Sequence, residues 1–171
     1  MNKAPDILTD LLPLKHKLFR LALRVTQNRE EAEDVVEDVL VKAWESRATW
    51  DEMQSLEAYC LTMCRNLALD RIALHERRNA SLDTTHLQTP DLVRSPHECL
   101  EQEERLKVVR AIIDQLPEKQ RTVIHLRDME GKSTAEVATL LDMTEANVKV
   151  LLHRARQFIK ITYLKIENYG L

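Results

Sequence analysis

The stretch Ser133–Arg156, "STAEVATLLDMTEANVKVLLHRAR", decides the architecture. Ser133 and Glu136 have capping-box spacing, in which the hydroxyl accepts the third helical amide and the carboxylate returns to the cap amide. A helix is therefore expected from Thr134, with Val137, Ala138, Leu140 and Leu141 inward. Thr144, supported by the polar Asn147, predicts a second start, with Val148, Leu151 or Leu152, Ala155 and Ile159 inward. Two short helices joined by Asp142-Met143 read as a helix-turn-helix. Many such turns use glycine; Asp142 departs from that, although Asp tolerates the left-handed conformation better than most residues. The other faces of the second helix present Asn147, Lys149, Val150, His153 and Arg154, with Arg156 following. Donors on such a helix suit base edges and phosphates. A solvated basic face on a helical bundle gives the same pattern, so the stretch alone leaves both readings open.

Composition narrows the class. The chain has 171 residues, 44% apolar and 31% charged, which suits a soluble globular protein of one ordinary domain or two small ones. Two glycines, two phenylalanines and little alternating β-branched pattern point to an all-α fold. No window reaches the 18 or so apolar residues of a membrane span, and "MNKAPDILTDLLPLKHKLF" lacks the apolar core of a signal peptide, so no membrane insertion and a cytoplasmic location are expected. Net charge is −3, which does not announce a nucleic-acid binder. The distribution says more: from Thr144 onward Lys149, Arg154, Arg156, Lys160 and Lys165 face only Glu145 and Glu167. Cys60, Cys64 and Cys99 have neither disulfide-framework nor metal-knuckle spacing and read as small apolar packing residues; a redox role for Cys60 or Cys64 has no positive support.

Residues 1–78 read as an N-terminal bundle of three to four amphipathic helices. Leu11, Leu14, Leu18, Leu21, Ala22 and Val25 recur at helical spacing. "NREEAEDVVEDVLVKAWES" follows, with Asn28 as cap, early acids that complement the helix dipole, and an apolar stripe through Val35, Val39 and Trp44. "ATWDEMQS" reads as a loop, and Ser55 caps a third long helix. Residues 79–100 hold Pro90, Pro96 and a cluster of Ser, Thr, Asn and Asp, which reads as a flexible linker. Helical periodicity resumes at Glu101, breaks at Pro117, and continues through "PEKQRTVIHLRDMEG" to Gly131, making 101–171 a second small helical domain.

With these residues in view, "LPEKQRTVIHLRDMEGKSTAEVATLLDMTEANVKVLLHRARQFI" closely resembles the promoter −35-binding domain of bacterial sigma-70 family factors of the extracytoplasmic-function (ECF) group. The residues that carry it are Leu116-Pro117, Ser133 to Glu136-Val137-Ala138, Val148-Lys149 and Arg154-Ala155-Arg156. "EEAEDVVEDVLVKAWE" resembles the sigma helix that docks on polymerase, and "SLEAYCLTMCRNLALDRI" the helix that presents the −10 pocket. Leu56, Tyr59 and Leu151 stand where the family often has Phe, Trp and Arg; Leu151 removes a phosphate contact or leans on another surface.

The resemblance implies a role for each matched residue. Asp34, Glu37 and Asp38 would face core RNA polymerase. The loop Asp51, Glu52, Met53, Gln54 and Ser55 would cup a −10 base, Asn66 would read it, and Arg65 and Arg71 would meet the adjacent backbone. Asn147, Lys149, Val150, His153, Arg154 and Arg156 would meet the −35 element, with Val150 able to touch a thymine methyl. Solvated faces, a buried or capping Asn66, and a pairing of Arg156 with acids near Glu145 are the structural alternatives. The resemblance further implies core RNA polymerase, promoter DNA and an anti-sigma factor as partners, and no cofactor. Promoter boxes about 17 base pairs apart lie roughly 58 Å apart. A 22-residue linker covers that only when nearly extended, or when domain widths supply part of the span, so polymerase is expected to hold it open. Whether the free domains collapse together and hide both DNA faces is left open by the sequence. No nucleotide-binding glycine loop, zinc-protease or serine-hydrolase motif occurs, so an enzyme is not expected. The runner-up is a LuxR-type helix-turn-helix regulator, which would need strands and glycines in residues 1–78; a helical adaptor would leave the basic helix unexplained.

Overall fold

Local chemistry sets each helix in the computed structural model, which describes residues 4–79 and 98–169. Asp6 accepts the Leu8 amide at 3.0 Å and Asp10 returns to the Asp6 amide at 2.8 Å. Two single turns, Ile7–Leu11 and Leu12–Leu14, then lead into α1 (Lys15–Thr26). Gln27, with φ 54°, turns the chain in the left-handed region, and Asn28 caps α2 (Arg29–Glu45) by accepting the Glu31 amide at 3.1 Å. Ser55 caps α3 (Leu56–Asn79) through the Ala58 amide at 3.1 Å. Leu18, Leu21, Ala22 and Val25 of α1, Val35, Val36 and Val39 of α2, and Cys60, Leu61, Cys64 and Ala68 of α3 close the first core. The stretch expected to be a loop instead contains a 3-10 turn, Arg47–Glu52, because Trp50 packs edge-on against Trp44 at 6.1 Å and donates to the Ala43 carbonyl at 3.0 Å.

The second half holds α4 (Glu98–Asp114), α5 (Glu118–Ile124), α6 (Thr134–Leu140) and α7 (Glu145–Tyr169). Helix α4 begins at Glu98, earlier than the Glu101 expected, and the expected linker lies, for residues 80–97, outside the described residues. The helix expected across 117–131 is interrupted: after Ile124 the chain widens into a π turn, His125–Met129, and Gly131 takes φ 70°. Both bonds of the Ser133–Glu136 capping box form, at 3.1 and 2.7 Å. Asp142 takes φ 51°, the left-handed turn residue anticipated. Among the described residues every regular element is helical, and no helix is long and apolar enough to cross a membrane.

The halves pack on each other. Ile113, Leu116, Val123 and Leu126 belong to the same buried cluster as the α1–α3 core. Arg121, buried in the seam, donates Nε to the Arg24 carbonyl at 2.6 Å, Nη2 to that of Val25 at 3.1 Å and Nη1 to that of Leu116 at 2.8 Å. It thereby satisfies carbonyls at the C-terminal end of α1, where a cation is also favoured by the dipole. Arg24 reaches Asp114 at 3.0 Å, Gln27 donates to the Asp114 carbonyl at 2.6 Å, Arg20 pairs with Glu130 at 2.7 Å, and Lys132 reaches Glu57 at 2.6 Å.

Candidate nucleic-acid interface

Helix α7 carries the residues expected to meet the −35 element. Thr144 accepts the Asn147 amide at 3.1 Å, fixing the start of the helix, while Val148, Leu152 and Ala155 anchor its inner face. Asn147, Lys149, Val150, His153 and Arg154 are exposed together on the outside. Lys149, His153 and Arg154 have no ion pair among the described residues. Arg156 differs: it forms a two-pronged pair with Asp128 at 2.6 and 3.0 Å, not with acids near Glu145, and that pair raises its affinity for the proton. Leu151 is half-buried and packs on the core cluster, which accounts for an apolar residue at a position where the family often has Arg. With the two halves packed together, the outer face of α7 stays open to solvent.

The first half is different. Asp51, Glu52, Gln54 and Ser55 are exposed, Met53 is half-buried, and the Ser55 hydroxyl is used as the α3 cap. Arg47 stacks over Trp44 at 4.7 Å, which stiffens the turn before this loop. Asn66 is exposed on α3, so it is neither a buried nor a capping residue. It sits roughly 15 Å along the helix axis from Leu56, so loop and Asn66 occupy different levels of α3. Arg65 is buried and faces the seam, with Glu118 of α5 at 3.4 Å and its Nε without a hydrogen-bond partner. Arg71 is held by Glu31 at 3.1 Å, Asp34 at 3.4 Å and Asp38 at 3.1 Å. Of the three acids expected to face polymerase, Asp34 and Asp38 thus share a partner, whereas Glu37 is exposed with no ion pair among the described residues.

Burial pushes the Cys60 thiol up to about 11 and the Cys64 thiol up to about 12, and Cys64 donates to the Leu18 carbonyl at 3.3 Å. Both are protonated packing groups near neutral pH, with none of the thiolate character that reactivity needs. The seam residues Arg121 and Glu118, and Asp128 beneath α7, carry no mark in the sequence, because their partners are remote in the chain and no local spacing pairs them.

Comparison with known proteins matches this geometry. The sigma-70 region 2 family model matches residues 13–78, and the sigma-70 region 4 model residues 106–159. The ECF RNA polymerase sigma factor SigL of Mycobacterium tuberculosis is 34% identical over 146 residues, covering 85% of this chain and 81% of that protein. The chain belongs to the sigma-70 family, in its ECF group. SigW of Bacillus subtilis, another ECF factor, is 25% identical across 91% of this chain and 88% of its own length. The fold is also that of the sigma factor RpoE solved with the anti-sigma factor NepR from Bartonella quintana, with TM-score 0.75, 22% identity, and coverage of 91% of this chain and 94% of that one. As an ECF sigma factor, the chain binds core RNA polymerase and directs initiation at promoters; the LuxR-type alternative receives no support.

Proposed function

We propose that this ECF factor divides promoter recognition between two faces and needs its seam opened before both can act. The single observation that supports it best is the α7 face, capped at its start, anchored by Val148 and Ala155, and presenting Lys149 and Arg154 without ion pairs. In this reading residues 101–171 bind the −35 element through Asn147, Lys149, Val150, His153 and Arg154, while Arg156 reaches phosphate only by giving up Asp128. Residues 1–78 dock on core polymerase and read −10 through Asn66 and the loop Asp51–Ser55, with Arg65 available after Glu118 withdraws. The amide of Asn66 both donates and accepts, which suits the Watson–Crick edge of an unstacked base. The factor works by binding, in the cytoplasm, and an anti-sigma partner of the kind usual in the group restrains it.

Opening follows from geometry. Arg65 bridges to α5, and α5 packs on α7, so one helix layer of roughly 10 Å separates the −10 helix from the −35 helix. Boxes roughly 58 Å apart cannot be held across that layer. The test is run-off transcription with core polymerase on a promoter library, with and without the protein. Wild type should create defined start sites, Asn66→Ala should blur −10 choice, and Arg154→Ala should blur −35 choice. No start site with wild type, or unchanged choice in both variants, overturns the assignment.

A further inference from the structure

Helix α2 carries two acidic rows side by side. Glu30, Glu33 and Glu37 form one row, and Glu31, Asp34 and Asp38 the other, each spaced three then four residues apart. Rows of like charge on a helix repel, which spreads the side chains over many rotamers and disfavours a fixed geometry. Among the described residues only the second row has a counter-charge from another helix: Arg71, one guanidinium on α3, reaches all three of its members.

The atoms used are informative. Arg71 takes Oδ2 of Asp34 and Oδ2 of Asp38, leaving Oδ1 of each without a hydrogen bond to the described residues. Glu31 is consumed at both oxygens, Oε2 by Arg71 and Oε1 by His75 at 2.6 Å, and it is the most buried of the three. An ionised carboxylate has about four acceptor directions, so one bond from Arg71 orients it without exhausting it. Asp34 and Asp38 stay 59% and 48% exposed, close enough to be bridged by one planar group, with free oxygens beside the unpaired Glu37.

We propose that Arg71 is a positioning residue for docking on core polymerase rather than a −10 backbone contact. It holds Asp34 and Asp38 in one row so that their free oxygens, with Glu37, meet a basic polymerase surface already arranged. Glu31 anchors the guanidinium and does not itself dock. This rests on the assignment of Asp34, Glu37 and Asp38 to the polymerase side. Arg71 cannot serve a phosphate at the same time without releasing those acids.

The experiment measures the affinity of full-length protein for core polymerase, with promoter choice read separately at saturating protein. Arg71→Ala should weaken docking roughly five- to tenfold with promoter choice unchanged. Arg71→Lys, a point charge unable to bridge three carboxylates, should recover only part of the loss. Combining Arg71→Ala with Asp38→Ala should cost less than the product of the single effects, since both act through one contact. Thermal midpoints of all variants, taken well above the assay temperature, separate positioning from unfolding. Docking by Arg71→Ala equal to or tighter than wild type overturns the proposal, as does altered −10 choice at saturation or strict additivity with Asp38→Ala. If instead Asp34, Glu37 and Asp38 substitutions leave docking of wild type unaffected, the docking assignment itself fails while the network around Arg71 stands.

Discussion

Helices α7 and α3 carry the same kinds of side chain and leave them in opposite states. On α7, Lys149 and Arg154 stand in solvent without ion pairs among the described residues. On α3, Arg65 and Arg71 are each claimed by carboxylates from other helices, Glu118 of α5 and the Glu31–Asp38 row of α2. A cation's chemistry is set less by its identity than by which acids folding delivers to it. In this arrangement the α7 cations are open to solvent, whereas the α3 cations are occupied by the chain's own acids.

The strongest way to break that contrast is to remove Arg121, whose bonds to the Arg24 and Val25 carbonyls join α5 to the end of α1 while a third holds the Leu116 carbonyl. Arg121→Met keeps apolar bulk but leaves those acceptors with no donor from this side chain, which should cost about 3 kcal/mol in a urea titration. The surviving folded molecules should be more extended by small-angle scattering, and Arg65 should become accessible. An unchanged radius of gyration together with unchanged stability would mean the seam is held by apolar packing alone.

Little of this seam was legible in the sequence, and the reason is separation. The caps at Asn28, Ser55, Ser133 and Thr144 are local, each decided within three residues, so spacing revealed them. Helical periodicity likewise identified the cores around Val35 and Val148. Arg121 meets α1 across 97 residues and Arg71 meets Asp38 across 33, and no spacing rule encodes such pairings. The resemblance placed Arg71 and Arg156 on DNA, and the carboxylates that hold them in this structure, Glu31, Asp34 and Asp38 for one and Asp128 for the other, could not be named from spacing. The π turn at His125–Met129 also carries no sequence mark, since its residues continue the helical pattern.

The same turn makes the contrast depend on pH. His125 is 1% exposed, and burial, reinforced by Arg24, lowers its pKa from 6.5 to about 4 against the smaller opposing pull of Glu130. Between those values the unfolded chain holds a proton on His125 that the folded chain does not. Stability should thus fall as pH drops through this window, by about 1.4 kcal/mol per unit and roughly 3 kcal/mol in all. Glu130, held below its usual range chiefly by the Arg20 hydrogen bond, adds a loss of the same sign at still lower pH. Urea titrations from pH 7 to pH 4 should show the slope in wild type and a flatter one in His125→Leu. Equal slopes would assign the acid sensitivity to carboxylates instead.

A gentler probe sharpens the α7 side. Each cation lost from a phosphate contact lowers the slope of log affinity against log salt by about one unit. Lys149→Ala and Arg154→Ala should each do so on −35 duplex DNA if they meet phosphate, whereas a base-edge contact would change sequence preference more than salt slope. Arg156→Ala should move the slope less, because Asp128 already neutralises it. A larger effect at Arg156 than at Arg154 would show that DNA displaces Asp128 readily.

The smallest effects compare the two left-handed turns. Gln27 at φ 54° and Asp142 at φ 51° both occupy backbone that glycine adopts without strain. Relief of that strain opposes the greater freedom glycine gives the unfolded chain, so each exchange by itself should be worth under about 1 kcal/mol. The side chains then decide the sign. The Asp142 side chain makes no hydrogen bond within the described residues, and its amide bond to the Thr139 carbonyl survives the exchange, so Asp142→Gly should be neutral to slightly stabilising. Gln27 donates to the Asp114 carbonyl at 2.6 Å across the seam, so Gln27→Gly gives up a bond worth about 1 kcal/mol along with the strain. The two variants should therefore shift the thermal midpoint in opposite directions, Asp142→Gly upward or not at all and Gln27→Gly downward. A rise in both would mean that the Gln27 bond contributes nothing net, and that the seam depends on Arg121 and the apolar cluster beneath it.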